Sequence, residues 1–213
     1  HNALSVAATN SSDLKWSGST YNIFVDMSAP GASILSTFVN ATYINSSGTS
    51  MATPAVAGAA AILRHYFPEY SARQIAAQLK ATTDNIDTLA GNEAYAGQLG
   101  TGRLNMYRAL TETGHSYVDM LGHLEDAESF GAFQGGQSVA LASSFENLLA
   151  PSQNITAKLT SLSEWVLVQN QQISLGAMGT GQVVTNETEP FLLQLQLGIP
   201  SNQQVYFMIE FFN

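Results

Sequence analysis

Gly48-Thr49-Ser50-Met51-Ala52-Thr53-Pro54-Ala55-Val56-Ala57-Gly58 is the stretch of this 213-residue chain on which the reading of the rest turns. From Ser50 a helical pattern runs to about Phe67. Met51 to Leu63 carries no charge, which predicts a helix buried on nearly all sides. Ala57, Gly58, Ala59, Ala60 and Ala61 would let neighbouring backbones come close. Pro54 lies within about one turn of the helix start, where a missing N–H costs little, and Pro68 ends the helix. A serine at the head of such a helix is fixed in place beside backbone N–H groups that have no partner within the helix.

Working outward, Leu4 to Ala8 and Ile23 to Met27 read as short buried strands. Ser28-Ala29-Pro30-Gly31 is a turn signal, and Ile34 to Phe38 is a further strand. Downstream, Ser71-Ala72-Arg73-Gln74 is a capping box for a helix whose apolar face carries Ile75 and Leu79. Gly100 and Gly102 introduce a third helix from about Leu104 to Glu112. Short strands alternating with helices predict an α/β layer fold. Near residue 116 the character changes. Ile155, Ala157 and Leu159, then Leu193, Leu195 and Leu197, then Val205, Phe207, Ile209 and Phe211 alternate with other residues at period two, the pattern of an all-β sandwich. The expected domains are therefore 1–115 and 116–213.

Composition narrows the function. Hydrophobic residues make up 45% of the chain, enough for buried cores. Seven basic residues against sixteen acidic ones give a net charge of −9, without the clustered Lys and Arg that a polyanion surface requires. Nucleic acid is not an expected partner. No apolar run approaches the ~20 residues of a membrane span. With no cysteine, there is no disulfide, thiolate metal site or cysteine nucleophile. The sequence opens at His1 without a methionine or signal peptide, so the natural start is expected to lie upstream.

The eleven-residue stretch resembles the serine motif of the subtilisin family, G-T-S-M-A-x-P-x-V-A-G, at every defined position. Ala3-Leu4-Ser5-Val6-Ala7-Ala8-Thr9 is similar to the family strand upstream of the serine. Met27-Ser28-Ala29-Pro30-Gly31 with Ile34-Leu35-Ser36-Thr37 resembles its "SAPG…ILST" segment. Gly100-Thr101-Gly102-Arg103-Leu104-Asn105 resembles its closing G-x-G-x-x-N. Coverage is about residues 1–113. The resemblance implies a partial subtilisin-like three-layer parallel sheet with helices, followed by an immunoglobulin-like β-sandwich of the kind attached to secreted bacterial proteases. It implies a secreted or cell-surface serine endopeptidase acting on protein or peptide substrates through an acyl-enzyme on Ser50. Gly48, Thr49, Met51 and Pro54 support the motif, and Gly48 is expected to allow a tight approach. The Ser50 N–H would form half of an oxyanion hole. No cofactor or metal site is implied for this chain, with calcium left to the parent protein.

Two departures matter. Ala55 stands where the family often has histidine, which touches helix packing and not the triad. The triad order is Asp, His, Ser, so both partners of Ser50, and the asparagine of the oxyanion hole, are expected upstream of residue 1. The chain alone is then expected to be nearly inert. The alternative is a non-catalytic fragment or pseudoprotease whose β module acts in binding or adhesion. His65, fifteen residues after Ser50 on one helix, lies ~22 Å along the axis and cannot act as its base. His1, His115 and His123 are read as non-catalytic, and Asp26 as a polar residue rather than the triad aspartate. Asp84, Asn85 and Asp87 are read as a turn in preference to a calcium loop. Five Asn-x-Ser/Thr triplets, at Asn10, Asn40, Asn45, Asn154 and Asn186, are attributed to composition. Without the missing strands, apolar surface is expected around Val56, Ala60 and Leu63, to be covered by the N-terminal half or a self-partner.

Overall fold

In the computed structural model, which describes residues 3–124 and 133–213, the chain divides into two units, His1–His115 and Ser116–Asn213. The first is built on β1 (Val6–Thr9) and β2 (Met27–Pro30), which run parallel. Residues 28–30 are thus strand and not turn. Met27 and Ala29 point into the core, the other side of β2 is held at Ser28 by residues 102–104, and Pro30 takes the last position. The turn falls at Gly31–Ser33, where Ser33 adopts φ 55°. β3 (Ile34–Phe38) then pairs antiparallel with β4 (Thr42–Ser46) in a hairpin that the sequence pattern does not announce. Its residues are mostly exposed, so no alternation marks them.

α1 (Thr49–Tyr66) ends at Phe67, the residue before Pro68, as proline's restriction on its predecessor requires. α2 (Ala72–Ala81) starts with the capping box: Ser71 Oγ accepts from the Gln74 N–H, and Gln74 Oε1 accepts from the Ser71 N–H. Ser71→Ala is expected to cost unit 1 about 1 kcal/mol, read as a lower denaturant midpoint at unchanged m-value. α3 (Met106–Thr111) is capped by Asn105, whose side chain accepts from the Arg108 N–H.

The three helices share one apolar cluster with Ala8, Met27 and Ala29. Ala7 points the other way, onto Ile86 and Leu99. A helix on each face, expected of the three-layer fold, is therefore not what the described residues of this unit supply. The segment after α2 closes Ala7's side without an α-helix. α1 is not buried all round either. Val56 and Leu63 are buried and Ala60 half-buried, whereas Thr53, Pro54, Ala55, Ala57, Gly58, Ala61 and Ile62 are exposed. The expected bare patch lies on the opposite side, because Val56 and Leu63 are the residues that the parallel strands cover.

Asp84 ties the C-terminal part of unit 1 together. Its carboxylate accepts from Arg103 (2.6 Å), Asn105 (3.0 Å) and Arg108 (3.4 Å). Asn85 closes an Asx turn onto the Asp87 N–H, and Asp87 accepts from the Gly97 N–H. Arg108 continues to Glu112, and hydrogen bonds from Arg108 and then His115 pull the Glu112 carboxyl down to about 2. A depressed carboxyl stabilises the fold above its unfolded pKa, and that contribution is lost as pH falls through about 2. An NMR titration should place the Glu112 midpoint well below the ordinary carboxylate range, and Arg108→Ala should move it back up.

Unit 2 comprises β5 (Val118–Leu124), β6 (Ser138–Asn147), β7 (Ser152–Ser161), β8 (Val166–Val168), β9 (Gln172–Met178), β10 (Val183–Thr185), β11 (Phe191–Leu195) and β12 (Phe207–Phe212). β6 is flanked by β5, β10 and β11, with β8 outside β11, while β12, β7 and β9 form a second antiparallel sheet. Phe145, Phe191, Leu193 and Leu195 from the first sheet share a cluster with Ile155, Ala157, Leu159 and Ile173 from the second. Leu197, read as part of the alternation, lies beyond β11 and is 81% exposed. Asn186 is 4% exposed and its side chain accepts from the Ser143 N–H, so that triplet is a buried structural amide.

Candidate active site

Three segments meet at the head of α1. Gly31, at the end of β2, donates its N–H to the Thr9 carbonyl at the end of β1. Its own carbonyl accepts the Gly48 N–H at 2.7 Å. A second link lies alongside, from the Ser33 N–H to Ser47 Oγ at 2.8 Å. The hairpin between them is thereby pinned at its base, and the chain enters α1 from a fixed point.

The close approach expected at Gly48 occurs at Gly31 instead. A Cβ on Gly48 would meet nothing nearer than the Ser50 nitrogen at 3.6 Å, and its backbone is extended (φ 160°). A Cβ on Gly31 would lie 2.7 Å from both Ala8 Cβ and the Gly48 oxygen, and 3.1 Å from Ala52 Cβ. Gly31 therefore sets how near the head of α1 comes to the ends of the strands. Read alone, Pro30-Gly31 signals only a turn, so nothing local reveals this contact.

Gly48 is the N-cap, and its carbonyl accepts from Met51 (3.0 Å) and Ala52 (3.3 Å). Thr49 and Ser50 occupy the first two helical positions, whose N–H groups find no acceptor within the helix. Ser50 is exposed, Thr49 and Met51 half-buried. The Thr53 hydroxyl donates to the Thr49 carbonyl at 2.9 Å. Pro54 is the sixth residue of α1, one turn beyond the free N–H groups, and so withholds the N–H that would pair with the Ser50 carbonyl. With no acidic residue in the first turn, the helix head keeps its positive end open toward an anion. The arrangement suits a hydroxyl that becomes covalently acylated while negative charge develops beside it.

The remaining candidates stand apart from Ser50 or have other partners. His65 is exposed in the last turn of α1, edge-on to Tyr66. His115 Nε2 lies 3.0 Å from Glu112 Oε2. Asp26 accepts from the Ser5 N–H (2.9 Å) and pairs with Lys80 (3.4 Å). His1, and the side chain of His123, lie outside the described residues. The role of Asp84 as a hub was not legible in advance, since its partners are nineteen or more residues distant.

Comparison with known proteins places the first half of the chain in a family. A model of the subtilase family, peptidase family S8, matches residues 1–108. Thermitase of Thermoactinomyces vulgaris is 42% identical over 110 residues, which are 51% of this chain and 36% of that protein. Subtilisin BL of Lederbergia lenta is 42% identical over 85 residues, 40% of this chain and 32% of the relative. Among solved structures, a protease from Pseudoalteromonas arctica superposes with a TM-score of 0.45 at 27% identity, over 51% of this chain and 35% of that one. The chain thus spans about a third of the length of these curated relatives. Half of its residues, including the whole of the serine-headed helix, fall within the family match, and the chain belongs to the subtilase family.

Proposed function

We propose that residues 1–115 are the C-terminal, serine-bearing half of a subtilisin-like catalytic domain, and that Ser50 is the nucleophile of a serine endopeptidase. The observation that supports this most is the exposed Ser50 at the second position of α1, within the family match and beside N–H groups unclaimed by the helix. In this reading Ser50 Oγ adds to the scissile carbonyl carbon as its proton passes to a histidine. The carbonyl oxygen becomes an oxyanion facing the Ser50 N–H. Collapse breaks the C–N bond, the histidine returns the proton to the leaving amine, and the acyl group stays on Oγ. Water, deprotonated by the same histidine, then releases the carboxylic acid.

The histidine, its orienting aspartate and the asparagine of the oxyanion hole come from polypeptide preceding residue 1, in keeping with the family order. His65 lies ~22 Å down the helix, and His115 is engaged by Glu112. These steps need no cofactor, and any calcium belongs to the parent protein. The exposed face of α1, Ala55, Ala57, Gly58, Ala61 and Ile62, is then the surface that the upstream half covers. Residues 116–213 act as an immunoglobulin-like accessory module, a reading supported by two antiparallel sheets around one cluster. A secreted or cell-surface bacterial setting accords with relatives such as thermitase and subtilisin BL, and no described helix is long and apolar enough to cross a membrane.

Fluorophosphonate labelling tests the reading, because such probes report an activated serine. The 213-residue chain should remain unlabelled, and a longer protein carrying the upstream half should label at Ser50 and lose the label in Ser50→Ala. An unlabelled longer protein would leave the non-catalytic binding reading in its place.

A further inference from the structure

The strand edges of unit 2 differ in how well they are guarded. β8 and β10 are three residues long. The pairing of β5 shifts register between Met120 and Gly122, and that of β9 with β7 shifts twice. Short strands and bulges are the usual means of keeping an edge from acquiring another strand. β12 has neither: all six of its residues pair with β7 in unbroken register, and Glu210 is its one charge.

The direction of its backbone groups follows from one bond. The Leu162 N–H donates to the Tyr206 carbonyl at 2.9 Å, so residue 206 faces β7. Because neighbours alternate along an antiparallel strand, residues 208, 210 and 212 face β7 as well. The N–H and C=O groups of Phe207, Ile209 and Phe211 then lie along the outer edge. Their side chains pack on the core of unit 2, while Met208 and Phe212 are exposed. Among the described residues no strand pairs with that edge.

We propose that β12 is a strand-addition edge at which two copies of this chain pair, antiparallel and centred on Ile209. The edge is self-complementary in this register. Ile209 opposes the partner's Ile209 and Phe207 opposes the partner's Phe211. All three outward residues become hydrogen-bonded pairs, with like faces together. On the exposed face Met208 meets the partner's Glu210. Centring the pair on residue 210 would set Glu210 against the partner's Glu210 and use only two of the three outward residues of each copy in hydrogen-bonded pairs, and centring it on residue 208 likewise pairs only two, so the first register is the one that uses the whole edge. The result is one continuous sheet of six strands, three from each copy.

Light scattering and sedimentation of the full chain over a dilution series test the pairing. A small edge interface should give a reversible dimer of micromolar or weaker affinity. Met208→Glu places two like-charge pairs across the twofold axis and should raise the dissociation constant about tenfold or more, whereas Met208→Lys faces the partner's Glu210 and should leave the dimer as tight or tighter. Met208 is exposed, so both variants keep the fold, which circular dichroism verifies. The amides of Phe207, Ile209 and Phe211 should gain exchange protection with concentration. A chain that stays monomeric, a dimer affected equally by Glu and Lys, or association indifferent to both, as through the bare face of α1, overturns the proposal. So does protection of those three amides in the monomer, which would assign the edge to another strand.

Discussion

Replacing Ser50 by alanine in a form of the protein that includes the upstream aspartate and histidine is expected to lower kcat by about six orders of magnitude, leaving KM little changed. That is the scale measured for the triad of subtilisin, itself of this family, and it is carried over from there. The physical reason is that, in the proposed role, the hydroxyl oxygen is the atom acylated. Without it, only substrate binding and the N–H groups at the head of α1 remain to favour the reaction, and such residual catalysis is modest. The substitution removes one oxygen from an exposed position, so the thermal midpoint should not fall. Initial rates on a peptide substrate, together with a melting curve, give the answer. A variant that keeps more than about a hundredth of the activity would mean that Ser50 is not the nucleophile.

The second large effect concerns the fold. Gly102 has φ 136°, and a Cβ there would lie 2.2 Å from the Asp84 carbonyl oxygen and 2.8 Å from its carbon. Asp84 cannot step aside cheaply. Its N–H and C=O exchange hydrogen bonds with Arg103 (2.9 and 2.8 Å), and its carboxylate holds Arg103, Asn105 and Arg108. Gly102 also receives the Ser28 N–H of β2 at 2.8 Å. Gly102→Ala is therefore expected to cost unit 1 about 4 kcal/mol, a large part of the ~5–15 kcal/mol that holds a domain. Gly97 offers the comparison: its φ is also positive, at 72°, but a Cβ would meet nothing within 4 Å. Gly97→Ala should cost only about 1 kcal/mol, the backbone term alone. The chain has two tryptophans, Trp16 and Trp165, one in each unit. Denaturation followed by Trp16 fluorescence in a Trp165→Phe background isolates unit 1. Equal losses at the two glycines would show that steric crowding at Asp84 is not the cause.

What could be read from sequence divides along the distance over which each feature is determined. The start of α1 near Ser50, its end before Pro68, and the box of Ser71 with Gln74 depend on residues a few positions apart, and all three appear as expected. β2 begins four residues and ends three residues later than the pattern suggests, because Pro30-Gly31 punctuates more loudly than the burial of Met27 and Ala29. β4 escaped notice because a hairpin exposed on both sides has no apolar period to display. The uncharged run from Met51 to Leu63 says that a surface avoids water, but not whether its cover belongs to the same chain. At the candidate site, the position of Ser50 is local and legible. The contact that sets its height above the strands, Gly31 against Gly48 and Ala52, joins residues 17 and 21 positions apart and is visible only in three dimensions.

The twin stitches beneath the β3–β4 hairpin carry a consequence for variation. Gly31 with Gly48, and Ser33 with Ser47, hold the two ends of the excursion together whatever lies between them. Residues 34–46 can accordingly be shortened, extended or exchanged for another loop while the Ser50 hydroxyl stays where it is. Because the cost of loop closure grows only slowly with length, this is the place where relatives can diverge, or a designer can graft a recognition segment, beside an unchanged helix head.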